Sequence, residues 1–326
     1  MRHLPDPCPQ TTVEFSGKRW TAVAPSKKLM HSKPIAVQGV IADLVIPYST
    51  DATVDWDCLK REVRLLNDCG VQGLSVGGAL GGTLGASAEE LASLCEEVKR
   101  SRKGPLCAVV FPDTTAEAQE MVRAVNEAGA DVIAVAQPHY LSQPRMDGLV
   151  EMFAELRRTT RRPLIAADSL PSYVLGVQPI RALVTRKLVD GVFESADMHV
   201  LVDLLCLDLG VPVYSGVEDL HYLALILGAD GVISNFATVC PTECVQLYAA
   251  VLEENHTSAR KIHERLVRLW RSLNWGVEQE ARIRSALSVR GRRVGPAPSP
   301  YDGLPPEAAQ QISNALREEG LAPLRQ

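Results

Sequence analysis

Three side chains suited to proton transfer lie in the middle of the sequence, close to the ends of predicted strands: His139, Tyr140 and Asp168. An imidazole, a phenol and a carboxyl group beside an apolar wall can exchange protons with a bound substrate. A carboxylate next to a phenyl ring has a raised pKa, which suits an acid or base near neutral pH. We expect Asp168 or His139 to take a proton from the carbon next to a carbonyl group while Tyr140 donates to its oxygen.

Each of these residues also has a structural interpretation. His139 could satisfy a backbone group in a loop, and Tyr140 could pack at a subunit interface. Asp168 is harder to explain structurally, because an unpaired carboxylate at a buried strand end is unfavourable. Glu218, Asp219 and His221 are interpreted as a solvated helix start rather than catalytic groups.

A repeating pattern of short apolar runs and amphipathic stretches must position these side chains. The runs carry little alternation, which is typical of parallel strands buried on both faces. They are residues 40–46, 73–76, 106–111, 132–136, 164–167, 191–194, 211–214 and 231–233. Helices are predicted between them, and Ser87 with Glu90 has the spacing of a capping box.

Strand and helix alternating eight times predict an α/β fold of the (β/α)8 TIM-barrel type, with a C-terminal helical extension. An open doubly wound sheet is the alternative, weakened because no glycine-rich dinucleotide motif follows the first strand. The predicted organisation is an arm, poorly ordered or strap-like, over residues 1–36, the barrel over 37–240 and the extension over 241–326. In such barrels the active site lies at the C-terminal ends of the strands.

Composition limits the class of protein. The net charge of −5 argues against a nucleic-acid partner, and no apolar run is long enough to span a membrane. Eight cysteines without a Cys-x-x-Cys pair, and no apolar leader, predict a reduced, cytoplasmic protein.

Two features of the C-terminal region, its arginines and an apolar stripe, can each be interpreted as structural or as functional. The arginines between residues 260 and 293 alternate with glutamates and are interpreted as solvated helix faces rather than an anion-binding patch. Leu266, Leu269, Trp270 and Leu273 form an apolar stripe. Internal packing is favoured for the stripe over an oligomer interface.

Several segments resemble the dihydrodipicolinate synthase and N-acetylneuraminate lyase family, a group of aldolase-like barrels. The resemblance runs in order over residues 38–285. The segments that carry it are Val45-Ile46-Pro47-Tyr48, Gly129-Ala130-Asp131-Val132 with Pro138-His139-Tyr140, Pro163-Leu164-Ile165 with Leu170-Pro171-Ser172, Ser215-Gly216, and Gly228-Ala229-Asp230-Gly231-Val232-Ile233-Ser234-Asn235. The resemblance implies a homo-oligomer, a tetramer or a dimer, that acts on a small carbonyl or carboxylate substrate.

The sequence departs from the family where the reaction is carried out. The family forms a Schiff base through a lysine in a Gly-Ile-Lys-Asp/Glu-Ser motif, and that lysine aligns with Phe193. Burial frees such a lysine as a nucleophile, and a phenyl ring cannot replace it. Glu194, which follows, is expected to point the other way and to be structural. The family's Gly-Thr-Thr-Gly-Glu loop, whose amides hold the substrate carboxylate, aligns with Gly78-Ala79-Leu80-Gly81-Gly82, and an arginine that often meets a carboxylate aligns with Tyr173.

The predicted site therefore combines the acid–base residues with a pocket that lacks the Schiff-base lysine. The pocket residues are Phe193, Ala79, Leu80, Gly81, Tyr173, Ser215, Gly216 and Asn235. Asp168, His139 and either Glu218 or Asp113 could bind Mg²⁺ or Mn²⁺, but no ligand spacing supports a metal site, so no cofactor is predicted.

Three functional hypotheses remain. The first is a lyase-type enzyme, acting on carbon–carbon or carbon–oxygen bonds, that uses acid–base chemistry without a Schiff base. The second is an inactive pseudoenzyme that serves as a ligand sensor or scaffold. The third is an ordinary aldolase whose lysine lies elsewhere.

Overall fold

The structure is a computed structural model that describes residues 12–15, 18–21, 37–138, 143–170, 173–274, 278–298, 303–321 and 323. The chain divides into two units, residues 1–34 and 35–326. In the first unit, β1 (Thr12–Phe15) and β2 (Lys18–Thr21) form an antiparallel hairpin that the sequence did not predict.

Eight parallel strands close into a barrel in the second unit, which confirms the predicted fold. They are β3 (Gly39–Asp43), β4 (Gly73–Val76), β5 (Leu106–Val110), β6 (Val132–Ala136), β7 (Leu164–Asp168), β8 (Gly191–Glu194), β9 (Val213–Ser215) and β10 (Gly231–Ser234). The last strand pairs with the first, with Ser234 opposite Ala42. The strand predicted over 40–46 ends at Asp43, because Ile46 N donates to Gly81 O at 2.9 Å and so leaves the ladder for the loop after β4.

Helices follow the strands and form an outer layer. They are α1 (Trp56–Asp68), α2 (Ala88–Ser101), α3 (Thr115–Glu127), α4 (Met146–Thr159), α5 (Val177–Thr185), α6 (Met198–Cys206), α7 (His221–Ile226) and α8 (Phe236–Val239). The predicted capping box opens α2: Glu90 N donates to Ser87 Oγ at 3.2 Å, and Ser87 N donates to Glu90 Oε2 at 2.7 Å. Reciprocal caps of this kind satisfy backbone donors that the first helical turn leaves free.

Alternation along the strands divides the core into two parts. Residues such as Ala42, Ala166 and Val192 pack outward with the helices, whereas Ile41 and Phe193 belong to a cluster inside the barrel. Because successive side chains of a strand point to opposite faces, membership of the inner cluster defines an inward register for each strand. This register decides which strand-end residues can face the barrel interior.

The C-terminal extension consists of α9 (Pro241–Leu252), α10 (His256–Leu273), α11 (Gln279–Val289) and α12 (Pro306–Glu318). The apolar stripe of α10 is buried, and the Trp270 ring lies edge-on to Phe236 with centroids 5.4 Å apart. Internal packing of the stripe is therefore confirmed.

The expectation that the C-terminal arginines are solvated is wrong for four of them: Arg282, Arg284, Arg290 and Arg292 are buried. Arg284 shows the reason, because Nη1 donates to Ile46 O at 3.0 Å while Nε donates to Glu280 at 2.9 Å. A buried guanidinium is tolerated when carbonyl oxygens and a carboxylate take its donors. Arg284, through Ile46 O, and Arg292, through Glu62 and Thr238 O, tie the extension to the barrel.

Candidate active site

Phe193 lies inside the barrel, at the end of β8. Its ring belongs to the inner cluster and is 8% exposed. A Cβ atom added at Gly216 would lie 2.6 Å from Phe193 Cε2 and 2.7 Å from Cζ, so the ring lies directly against this glycine. The absence of a side chain at residue 216 gives the phenyl ring its place in the barrel interior.

Asp43 is a second interior residue at this end of the barrel, and the sequence analysis did not single it out. It lies two residues after Ile41 on β3, so it shares the inward register of that strand. Ser75 Oγ donates to its Oδ1 at 2.5 Å, and Asn235 Nδ2 donates to its Oδ2 at 2.9 Å. The backbone N–H of Gly78 is a third donor.

The glycine loop after β4 is shaped around Asp43. A Cβ atom at Gly78 would collide with the carboxylate oxygens of Asp43, so only glycine fits there. Burial raises the pKa of Asp43 to about 6, and the bonds from Ser75, Asn235 and Gly78 limit the rise. The group is therefore mostly ionised above pH 7, inside the barrel.

Asp168 does not line the barrel mouth, which corrects the predicted position. It follows Ala167 of the inner cluster and so takes the outward register of β7, where it is 0% exposed. Its Oδ2 accepts from the N–H groups of Leu175 at 2.9 Å and Gly176 at 3.2 Å, and Gln137 Nε2 donates to Oδ1 at 3.4 Å. Asp168 holds the loop after β7 rather than facing the interior.

Glu194 is the partner of Asp168 on the neighbouring strand, and the two carboxyl groups share a hydrogen bond. Glu194 Oε1 accepts from Ala196 N at 2.8 Å and Asp197 N at 2.9 Å, which holds the turn into α6. Burial, and next the charge of Asp168, raise the pKa of Glu194 to about 9; burial also raises the pKa of Asp168. At neutral pH Glu194 therefore carries the proton of the shared bond. Its outward orientation agrees with the sequence-based expectation.

The remaining predicted pocket residues do not form one site. Gly216 lies against Phe193, and Asn235 bonds to Asp43. Ser215 is on the outward register of β9, where its Oγ accepts from Val217 N at 3.3 Å. Tyr173 lies in the loop after β7, and its carbonyl oxygen accepts from Gln137 Nε2 at 2.7 Å. His139 and Tyr140 lie outside the described residues.

Ala79 and Leu80 open onto a separate cleft of about 1240 Å³ between the loops after β3 and β4 and the C-terminal extension. Tyr48, Trp56 and Leu304 also line it, whereas Asp43 and Phe193 do not. Gly81 ties this loop to the end of β3, since its carbonyl accepts the bond from Ile46. The loop after β4 therefore separates the barrel interior from the cleft.

The expectation of a solvated helix start holds for Asp219 but is wrong for His221, which is buried, and for Glu218, whose side chain is only 8% exposed. Glu218 Oε2 accepts from Ser234 Oγ at 2.5 Å, and burial raises the pKa of Glu218 to about 8. Burial lowers the pKa of His221 to about 3, so its 3.2 Å contact with Glu218 joins two neutral groups near pH 7. Among the residues that the structure describes, no group of three or more His, Cys, Asp or Glu side chains has the arrangement of a metal site.

Comparison with known proteins decides the family. The model of the dihydrodipicolinate synthetase family matches residues 36–319. The chain belongs to this family. The family is of the lyase type, and the resemblance seen in the sequence is confirmed.

Relatives and solved structures match over most of their length. A 4-hydroxy-tetrahydrodipicolinate synthase of Methanothrix thermoacetophila is 28% identical over 287 residues, covering 86% of this chain and 96% of that protein. The enzyme of the same name from Methanocaldococcus jannaschii is 26% identical, covering 87% and 99%. The crystal structure of dihydrodipicolinate synthase from Aquifex aeolicus has a TM-score of 0.81 at 26% identity, covering 89% and 100%. CdNal from Clostridium difficile, in complex with mannosamine, has a TM-score of 0.79 at 20% identity over 86% and 99%, which shows the shared fold.

Proposed function

We propose that this member of the dihydrodipicolinate synthetase family is a lyase that acts on a small carbonyl or carboxylate substrate by acid–base chemistry, without a Schiff base. The observation that carries the proposal is the Phe193 ring, packed against Gly216 in the barrel interior. An imine needs an unprotonated amine within reach of the carbonyl carbon. The aromatic ring fills the inward position of β8 and supplies none.

The lysines of the second unit, residues 35–326, support this proposal. Lys60 and Lys99 lie on α1 and α2, Lys261 lies on α10, and Lys103 and Lys187 follow helices. None of these five is on a barrel strand. A Schiff base formed in the barrel interior by a lysine of this unit would need one of these five to cross the helical layer.

Tyr140 and His139 are proposed as the acid–base groups, because they follow β6 by a few residues. This strand ends at Ala136, and the next residue, Gln137, is held by Asp168 and by Tyr173 O. The loop thus starts at the C-terminal end of the barrel, where barrel enzymes carry their sites. Asp168 is proposed as a positioning residue that fixes the start of this loop.

Tyr140→Phe and His139→Ala are each expected to lower kcat/KM by about 100-fold or more, since a positioned acid or base contributes roughly 10²–10⁴-fold. Turnover is measured on substrates found in a panel of keto acids, hydroxy acids and sugar acids, with Mg²⁺, Mn²⁺ or a chelator added. No cofactor is part of the proposed reaction, so the chelator should leave the rate unchanged.

Tyr173→Phe is the matched control for Tyr140→Phe. Its hydroxyl donates to Pro144 O at 3.4 Å in the loop after β6, so its removal should change kcat/KM far less. Full turnover in both Tyr140→Phe and His139→Ala would contradict the assigned roles.

A pseudoenzyme that senses a ligand or acts as a scaffold is the competing candidate. The observation in its favour is the closed interior: Phe193, Asp43 and Asn235 are each less than a tenth exposed. Turnover of any compound in the panel, lost in Tyr140→Phe, decides for the enzyme. A ligand that stabilises the protein but is never converted decides for the sensor.

We also propose that the protein is a cytoplasmic homo-oligomer, either a tetramer or a dimer. Large apolar side chains are exposed on and next to α6 and α7, two helices in contact; they are Met198, Leu207, Leu223, Ile226 and Leu227. Neighbouring exposed apolar residues of this size often mark a subunit interface. Sedimentation velocity gives the oligomeric state.

No helix in the described part of the chain has the length and apolarity needed to cross a membrane.

A further inference from the structure

We propose that Asp43 determines the substrate class of this site: the substrate meets it with an uncharged or cationic group, and an anionic substrate group is excluded from that position. This inference rests on the proposed function, since it assumes that the substrate enters the barrel interior. It narrows the carbonyl or carboxylate class to carbonyl compounds whose group beside Asp43 is a hydroxyl, an amide or an ammonium.

The geometry around Asp43 is that of a carboxylate-binding site filled by the chain itself. Ser75 Oγ, Asn235 Nδ2 and the Gly78 N–H converge on one carboxylate. A carboxylate offers about four lone-pair positions, so the three donors take most of them. Two of the donors are side chains from other strand ends, Ser75 on β4 and Asn235 after β10.

The tight fit of the loop shows that the arrangement is built for this side chain. Gly78 lies so close to the carboxylate oxygens that any side chain there would collide with them. The donors that would hold an incoming anion at this point of the loop are therefore already used. An anion would also have to approach a buried negative charge, where screening by water is weak.

The charge of Asp43 is the only acidic one on the inward register of the described strands. Asp168 and Glu194 are on the outward register, and Glu218 follows β9 and caps the backbone at Phe236. The groups that lower the pKa of Asp43 are three uncharged donors. Above pH 7 the interior therefore carries a net negative charge at this position.

Asp43→Ala provides the test, because it leaves the three donors without their carboxylate. Formate and pyruvate are titrated against the full-length wild type and Asp43→Ala, and the thermal unfolding midpoint is followed. We expect both anions to stabilise Asp43→Ala, with half-saturation at a concentration at least ten times lower than in the wild type. Pyruvamide, the uncharged counterpart of pyruvate, should show no such gain.

Asp190→Ala is the matched control, since it removes an aspartate at the opposite end of the barrel, where Oδ2 accepts from Leu164 N at 3.0 Å. Its response to the anions should equal that of the wild type. Should Asp43→Ala fail to fold, Asp43→Ser replaces it, because a hydroxyl still offers Ser75 an acceptor.

Equal responses of the wild type and the Asp43 variant to both anions would overturn the inference. The inference would also be overturned if Asp43→Ala gained as much affinity for pyruvamide as for pyruvate. The space left by the missing side chain, rather than its missing charge, would then explain the binding. Borohydride reduction of Asp43→Ala in the presence of pyruvate tests the proposed function separately, because this variant is expected to admit the anion: a trapped imine defeats that proposal, whereas the anion response alone decides the role of Asp43.

Discussion

Glu62→Gln is expected to lower the free energy of unfolding by about 3–5 kcal/mol, the range for breaking a buried ion pair from one side. Glu62 on α1 is 1% exposed, and its partner Arg292, just after α11, is 0% exposed. Arg292 Nε donates to Glu62 Oε2 at 2.9 Å, and Nη1 donates to Thr238 O of α8. The pair and its bond to Thr238 O join α1, α8 and the C-terminal extension. Glu62→Gln leaves the buried guanidinium of Arg292 without its counter-charge. Denaturant unfolding measures the effect.

The controls separate the buried pair from an ordinary surface pair. Asp68→Asn breaks an exposed pair with Lys103 at 3.0 Å and should change stability by less than about 1 kcal/mol. Replacing both Glu62 and Arg292 by methionine should recover much of the loss, because no charge is then buried. A loss in Glu62→Gln as small as that in Asp68→Asn would contradict the structural role of the pair.

Glu194→Gln is expected to be more stable than the wild type at pH 8 and to show a weaker dependence of stability on pH. The pKa of Glu194 is raised to about 9 by burial and by Asp168, whereas in the unfolded chain it is about 4.3. Between these values the folded protein holds a proton that the unfolded chain has released. The stabilisation is complete below the unfolded pKa and is lost as the pH rises towards 9, by up to about 1.4 kcal/mol per pH unit.

Glutamine reproduces the protonated form at every pH. Its carbonyl oxygen can accept from Ala196 and Asp197 as Oε1 does, and its amide can donate to Asp168. Unfolding free energies of both proteins are compared from pH 5 to pH 9. Some slope should remain in Glu194→Gln, because Glu218 also has a raised pKa of about 8. Identical slopes for the variant and the wild type would show that Glu194 is not protonated in the folded protein.

The fold could be predicted from sequence because it depends on periodicity. Apolar runs placed all eight barrel strands, six of them within one residue at both ends, since such runs are typical of strands buried on both faces. The end of β3 was placed too late, because Leu44 to Ile46 are apolar although Ile46 N bonds to Gly81 O in the loop after β4. The burial of Arg292 could not be predicted either, since its partner Glu62 is 230 residues away.

The candidate site was harder to predict, because register decides which strand-end residues face the interior. Asp168 was singled out for its residue type, but it lies one residue past the inward position of Ala167. Asp43 has the inward register and was missed, since one aspartate at the end of an apolar run has no distinguishing spacing. The available signal was the two-residue alternation of side chains along a strand, which gives Asp43 the same inward direction as Ile41. Phe193 was singled out by its position in a recognisable motif, and the structure places it on the inward register of β8.

Borohydride reduction of the wild type and of Asp43→Ala in the presence of pyruvate, followed by the intact mass of each full-length protein, tests the central claim most directly. An aldolase with a known Schiff-base lysine is treated in parallel as a positive control. We predict an unchanged mass, because Phe193 occupies the interior position of β8 and the described lysines lie off the barrel strands. A stable adduct mapped to a lysine of this chain would contradict the account and establish an imine-forming aldolase.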